Sequence, residues 1–289
     1  MKRKGTDISA YQGQPDFSKV KTQADFVIIR AGYGRYSSQK DKCFERSYSE
    51  CKKHGIPCGA YWFSYSVTAA DAKKEAKACL EAIKGKQFEY PIYYDIEGGS
   101  LTDKATVSAM CREFCGELEK NGYFAGIYMS RIPAQNYLTE DVKKRYALWL
   151  AEYGGALKWQ GLPGMWQYSS TGRISGIAGN VDLDECYEDY PVIIRSAGLN
   201  GFSGPEVLDS SGMKRGDDSA GVYAYKSLLR TAALTGVVSV SVDSNGIFGE
   251  GTEKATNALL KKWGYRQNGI AGEKLIKRLY EETAERIKG

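Results

Sequence analysis

What most constrains this chain is the recurrence of short apolar runs over its first two thirds. In order they are TDIS (6–9), FVIIRAG (26–32), CGAYWFS (58–64), PIYYDIE (91–97), YFAGIYMS (123–130), YALWLAEY (146–153), PGMWQYSS (163–170) and VDLDECY (181–187). Most are rich in β-branched and aromatic residues and all are of strand length. Between the third and fourth, TAADAKKEAKACLEAIKG consists of strong helix formers and stops at Gly85. TDKATVSAMCREFCGELEKNG repeats the pattern, with Thr102 or Asp103 as N-cap and Gly122 as stop. DKCFERSYSECKKHG is a weaker helix, and TEDVKKR is short and polar. Strands alternating with helices predict an α/β fold, a barrel of the (β/α)8 type. The last strand segments lie too close together for full helices between them. That arc of the ring is therefore expected to be irregular or antiparallel.

Residues 196–211 are rich in Gly and Ser and break this pattern, which predicts a linker. Beyond it, DDSAGVYAYKSLLRTAALTG places Val222, Tyr225, Leu228 and Leu229 on one helical face. VDSNGIFGEGT and NGIAG are turns that lead into two further helices. The expected organisation is a barrel over 1–195, a linker over 196–211 and a small three-helix domain over 212–289.

The fourth run ends in two acids, YYDIEGG. Side chains two apart on a strand share a face, so Asp95 and Glu97 point the same way beside a flexible turn. Asp7 in GTDIS and Asp182 in GNVDLDE are also strand-end acids. In such barrels the site lies at the C-terminal ends of the parallel strands, and closing the ring brings the first, fourth and eighth strands to one face. Crowded carboxyls raise one another's pKa. A carboxyl kept protonated near neutrality can give a proton to a leaving oxygen, while an ionised partner stabilises developing positive charge. That is the chemistry of glycoside hydrolysis, which needs neither a metal nor a cofactor. Tyr61, Trp62, Tyr128, Trp149 and Trp166 lie in the strand segments, as platforms for sugar rings or as ordinary core and rim aromatics.

Composition narrows the classes further. The net charge of +5 is mild, and no basic run interleaves with aromatics, so nothing calls for nucleic acid. No apolar run approaches the roughly 20 residues of a membrane span, and MKRKGTDIS has no apolar segment behind its basic residues. The expectation is a chain made in a cytoplasm. Seven cysteines at scattered positions argue against a disulfide framework. Cys111 and Cys115 share a helix face with Val107, Phe114 and Leu118, and with a single histidine in the chain they read as small buried hydrophobes rather than metal ligands.

The ordered set GTDISAYQG, GAYWFSY, YPIYYDIEGG, LWLAEYGG and MWQYSSTGRISGIAGNVDLDE resembles glycoside hydrolase family 25, the muramidases often called Chalaropsis-type lysozymes, over about residues 5–190. The resemblance implies hydrolysis of the β-1,4 bond between N-acetylmuramic acid and N-acetylglucosamine in bacterial peptidoglycan. It implies Glu97 as general acid, and Asp95 acting beside it, on the substrate's acetamido group or as a charge partner. Asp7 and Asp182 would line the floor. An acetamido-assisted route and a covalent one both stay open. The tail resembles a three-helix peptidoglycan-binding domain, with Lys226 standing where that family often has Gln. A muramidase without a secretory signal, joined to a wall-binding module, resembles a phage or prophage endolysin, which would wait in the host cytoplasm until a holin opens the membrane. The competing readings are a wall-binding barrel that has lost its chemistry, against which the intact acid set argues, and an Mg²⁺-dependent phosphoesterase using the same acids. Host, wall chemotype and oligomeric state are not legible in the sequence.

Overall fold

The computed structural model describes residues 2–205 and 211–288 of the 289-residue chain. Eight strands close into a barrel in chain order: β1 Arg3–Ile8, β2 Phe26–Tyr33, β3 Cys58–Phe63, β4 Ile92–Asp95, β5 Ala125–Ser130, β6 Ala147–Ala151, β7 Met165–Gly172 and β8 Val181–Cys186. Strands β1 to β7 run parallel. The last strand is antiparallel to both of its neighbours, β7 and β1. Among the described residues no helix stands between β6 and β7 or between β7 and β8, so the arc that the sequence crowds together is the irregular one.

Burial follows this layout. β6 is buried at all of its residues and β2 nearly so, as expected of parallel strands with helices packed outside them. The helix Ala69–Ile83 is capped by the Thr68 side chain, and its buried face is made mostly of small residues, among them Ala72, Ala76, Cys79 and Ala82. The helix Lys104–Lys120 stacks Phe114 on Tyr94, centroids 3.9 Å apart. Two glycines are dictated by this packing: a Cβ on Gly5 would sit 2.3 Å from the Phe26 ring, and one on Gly126 2.6 Å from the Tyr93 ring. All seven cysteines are free thiols, and all but Cys43 are buried.

Contacts divide the chain into two compact units, residues 1–118 with 125–189, and residues 119–124 with 190–289. The second contains the helices Tyr190–Ala197, Ala220–Leu234, Glu250–Lys262 and Glu273–Lys288. Its core takes in Val222, Tyr225, Leu228 and Leu229, the face read from the sequence. The short segment 119–124 is part of this core. Phe124 packs on Tyr190 and Tyr223 at 5.7 Å each, and its backbone N–H donates to Asn200 Oδ1 at 2.7 Å. The helix Tyr190–Ala197 runs across residue 195, where the sequence places the end of the barrel domain, and residues 206–210 of the expected linker lie outside the described residues.

Candidate active site

Strand register builds the barrel mouth. Phe63, Asp95, Tyr128 and Trp149 are successive cross-strand partners from β3 to β6, so they share one face of the sheet. On β7 that face continues through Met165, the partner of Trp149, and then Gln167 two residues on. Gln167 pairs in turn with Asp184 of β8. Because β8 is antiparallel, its beginning rather than its end lies at the mouth. Asp182 therefore reaches the rim, with Asp184 one inward-facing position deeper. The result is a cleft of about 270 Å³ whose lining includes Asp7, Arg30, Tyr61, Asp95, Glu97, Tyr128, Trp149, Tyr153, Gln167 and Asp182.

The four acids named from the sequence thus come together in one place. β4 ends at Asp95, the chain stays extended through Glu97 (φ −153°, ψ 176°), and Ile96 between them is buried the other way. The aromatics divide. Tyr61, Tyr128 and Trp149 line the cleft. Trp149 is almost wholly buried and Tyr128 nearly so. Trp166 does not line it: it pairs with Leu150 on the opposite face, and its Nε1 donates to the Glu152 carbonyl at 2.9 Å. Trp62 is fully buried behind the strand, donating to the Gly34 carbonyl at 2.9 Å.

A hydrogen-bond chain fixes the floor. Gln167 Oε1 accepts from both Tyr128 and Tyr153 hydroxyls at 2.8 Å, which commits Gln167 Nε2 to donate to Asp7 Oδ2 at 2.7 Å. Trp149 Nε1 donates to Asp184 Oδ1 at 2.9 Å. Asp95 Oδ1 is buried with no partner, and among the described residues the Glu97 side chain makes no hydrogen bond or ion pair. Among the described residues Arg30 is the one cation lining the cleft. Its Nε donates to Asp41 Oδ2 at 2.7 Å, and its guanidinium lies 5.1 Å from the Tyr11 ring and 5.7 Å from the Tyr33 ring.

Burial raises the carboxyls of Asp7, Asp95, Glu97 and Asp182. Asp95 is pushed well above the usual range by burial and by Glu97, with Arg30 pulling the other way. Glu97 is raised by burial and by Asp182, and Asp182 by burial. Asp7 is raised by burial, then by Asp184 and Asp182, against the Gln167 hydrogen bond. Asp95 and Glu97 therefore keep their protons to higher pH than free carboxyls do.

Residue-by-residue reading missed Gln167, Tyr153, Arg30 and Asp184. The signal for two of them was present. Asp184 follows Asp182 by two residues and must share its face, as Glu97 does with Asp95, and Gln167 must face opposite to Trp166. Arg30 and Tyr153 offered no such signal, since an Arg inside FVIIRAG and a Tyr before Gly-Gly fit many surface positions.

Comparisons with known proteins agree with this geometry. The description glycosyl hydrolases family 25 matches residues 6–177, more than half of the chain. Autolytic lysozyme of Clostridium acetobutylicum is 27% identical over 282 residues, 93% of this chain and 78% of the relative. The modular autolysin LytC of Streptococcus pneumoniae, solved with a synthetic peptidoglycan ligand, is 30% identical with a TM-score of 0.58. It aligns with 64% of this chain, which spans 47% of LytC, about half its length. The catalytic domain of endolysin ply40, from bacteriophage P40 of Listeria monocytogenes, is 25% identical with a TM-score of 0.56, over 67% of this chain and 97% of that domain. The chain therefore belongs to glycosyl hydrolases family 25 and is a glycoside hydrolase of the lysozyme type.

Proposed function

We propose that this enzyme is a muramidase that cuts the β-1,4 bond between N-acetylmuramic acid and N-acetylglucosamine, with Glu97 as general acid and Asp95 beside it. The observation that carries the reading is the Asp95–Glu97 pair: two raised carboxyls on one face, the outer one without a partner and the inner one with a bare oxygen, at the floor of an aromatic-lined cleft. An acetamido N–H of the substrate offered to Asp95 Oδ1 stabilises the ionised form of Asp95. That leaves the pair's proton on Glu97, the longer side chain, within reach of the leaving oxygen. The test is digestion of purified peptidoglycan with mass analysis of the products. Muramic acid at the new reducing ends is expected; glucosamine ends, or freed peptides, sink the assignment.

We also propose that the helical tail, from about residue 212, binds the wall. A core of its own and a sequence resembling peptidoglycan-binding domains support this. Glu97→Gln enzyme should pellet with whole walls, and the same variant lacking 212–289 should pellet much less; equal pelleting would retire the idea. The likeness to a phage endolysin supports release from a host cytoplasm, through a holin-type opening, as the route to the wall.

A further inference from the structure

Beneath the proposed machinery lies an acid that has no role in it. Asp184 is fully buried on β8, does not line the cleft, and is charged in its ordinary state. One of its oxygens, Oδ1, accepts from Trp149 Nε1 at 2.9 Å. Among the described residues no nitrogen or hydroxyl donor reaches the other, Oδ2. The carboxyl beside it is that of Asp7: Asp184 pairs with Gly5 of β1, two residues before Asp7 on the same strand face, and with Gln167 of β7, whose Nε2 donates to Asp7 Oδ2.

Two carboxyls side by side, each with one oxygen already accepting an N–H, can hydrogen-bond to each other only through a proton. Two buried charges of like sign cannot both stand without a counter-ion. The groups around Asp7 supply none. They are Asp182 and Asp184 from β8, Asp95 from β4, Tyr61 from β3, Tyr128 from β5, Tyr153 beyond β6 and Gln167 from β7. The nearest cation, Arg30 of β2, acts on Asp95 and Tyr61.

We propose that Asp7 and Asp184 hold one proton between them, so that Asp7 presents a neutral carboxyl to the cleft and Asp184 is the positioning residue that keeps it neutral. The upward push of burial on both groups agrees with this. The consequence lies next door. A neutral Asp7 adds no negative charge beside Asp95 and Asp182, which leaves Asp95 able to ionise when substrate binds. The consequence for turnover rests on the muramidase reading; the shared proton does not.

Asp184→Asn tests it. The amide keeps the size and the Oδ1 acceptor for Trp149, and it offers an N–H to Asp7 in place of the proton. Asp7 should then ionise and push Asp95 up, so the acid limb of kcat/KM on soluble glycan strands should move to higher pH by about half a unit or more. A folded Asp184→Asn enzyme whose acid limb stays in place overturns the proposal. A second measurement needs no substrate and serves if that variant fails to fold. Asp7→Asn gives Asp184 a permanent N–H donor, so the shared proton is no longer held in the folded state. The wild-type loss of folding stability as pH rises from about 5 to 8 should become shallower by about one proton's worth; an unchanged slope overturns the proposal. Failure of the muramidase reading alone would appear as wrong digestion products with these pH shifts intact.

Discussion

The barrel mouth and the helical unit bury charge in opposite ways. In the helical unit Lys226 has a fully buried side chain, yet its Nζ is met by Asn245 Oδ1 at 2.7 Å, the Ile247 carbonyl at 3.0 Å and Asp243 Oδ1 at 2.5 Å. Arg230 likewise donates to the Asp243 carbonyl and to Ser227 Oγ, with Glu119 at 3.6 Å. In the mouth Asp7, Asp95, Glu97, Asp182 and Asp184 gather; among the described residues none of them makes an ion pair, and neither Asp95 Oδ1 nor Asp184 Oδ2 meets a nitrogen or hydroxyl donor. The barrel can satisfy a buried acid when it needs to: Glu75, behind β3, accepts from Tyr65 N–H, Ser64 Oγ and Tyr94 OH at 2.7–3.0 Å. On the muramidase reading proposed above, the unpaired buried acids are the ones assigned to chemistry, and the paired buried charges belong to architecture.

The sharpest way to break that contrast is Glu97→Gln. The amide keeps the shape and removes the titrating proton, so turnover of a wall suspension should fall roughly 10²–10⁴-fold, the usual share of general acid catalysis. The melting temperature should hold or rise slightly, because a like charge leaves a crowded site. A variant keeping more than about a tenth of wild-type turnover would mean that the proton comes from elsewhere, with Asp182 the next group to change.

Lys226→Met tests the other side. The apolar stem still packs, but Asn245 Oδ1 and the Ile247 carbonyl lose their ammonium partner. A loss of about 1–3 kcal/mol is expected from the unmade buried hydrogen bonds. The ion pair adds little, since the Asp243 side chain is 52% exposed. Thermal melting should reveal the drop while cleavage of soluble glycan stays at the wild-type rate. Unchanged melting would mean that the buried ammonium is not what holds the 243–247 loop.

Much of this contrast was legible in the sequence. The D-x-E at a strand end, the strand count and the family motifs located the acids, because period-2 alternation and barrel closure leave them few places to go. Trp166 was offered as a sugar platform or an ordinary aromatic, and residue type could not choose between them, since a Trp in an apolar run does not reveal its face until the strand's register is known. The sequence placed an irregular or antiparallel arc late in the ring without singling out β8, and the antiparallel direction of β8 is what puts Asp182 at the rim and Asp184 below it. The satisfied Lys226 was legible only as a departure from a family pattern, since its partners come from a turn 17–21 residues later.

A smaller effect follows from the acids' pKa direction. Asp7, Asp95, Glu97, Asp182 and Asp184 are all raised in the folded state. A raised folded pKa gives stability that is fully present below the unfolded value of about 4 and is lost as pH rises through the folded value. The barrel should therefore lose stability as pH rises above about 4, at up to about 1.4 kcal/mol per pH unit for each proton still held. Asp95→Asn and Glu97→Gln should each flatten the profile, and Lys226→Met should leave its slope alone. A wild-type melting temperature that does not fall as pH rises above about 5 would show that these acids hold no extra protons in the folded state.

The smallest expected effect is none at all, and it concerns the thiols. If chemistry here is confined to unpaired carboxyls, the cysteines belong with the architecture. Cys51, Cys58, Cys79, Cys111, Cys115 and Cys186 are buried, and burial pushes the Cys79 and Cys111 thiols far up and Cys186 up to about 12. Alkylation requires the thiolate and access to it; all six are buried, and for Cys79, Cys111 and Cys186 burial also disfavours the thiolate. Cys43 alone is partly exposed, and it sits before the helix Phe44–His54, away from the cleft lining. Native treatment with N-ethylmaleimide should therefore add at most one label by intact mass and leave wall clearance unchanged, and excess reductant should also leave it unchanged. Stoichiometric labelling of a second cysteine would mean that the barrel opens in solution. Loss of activity with a single label would place Cys43 near the path of the glycan and would break the division between paired architecture and unpaired chemistry.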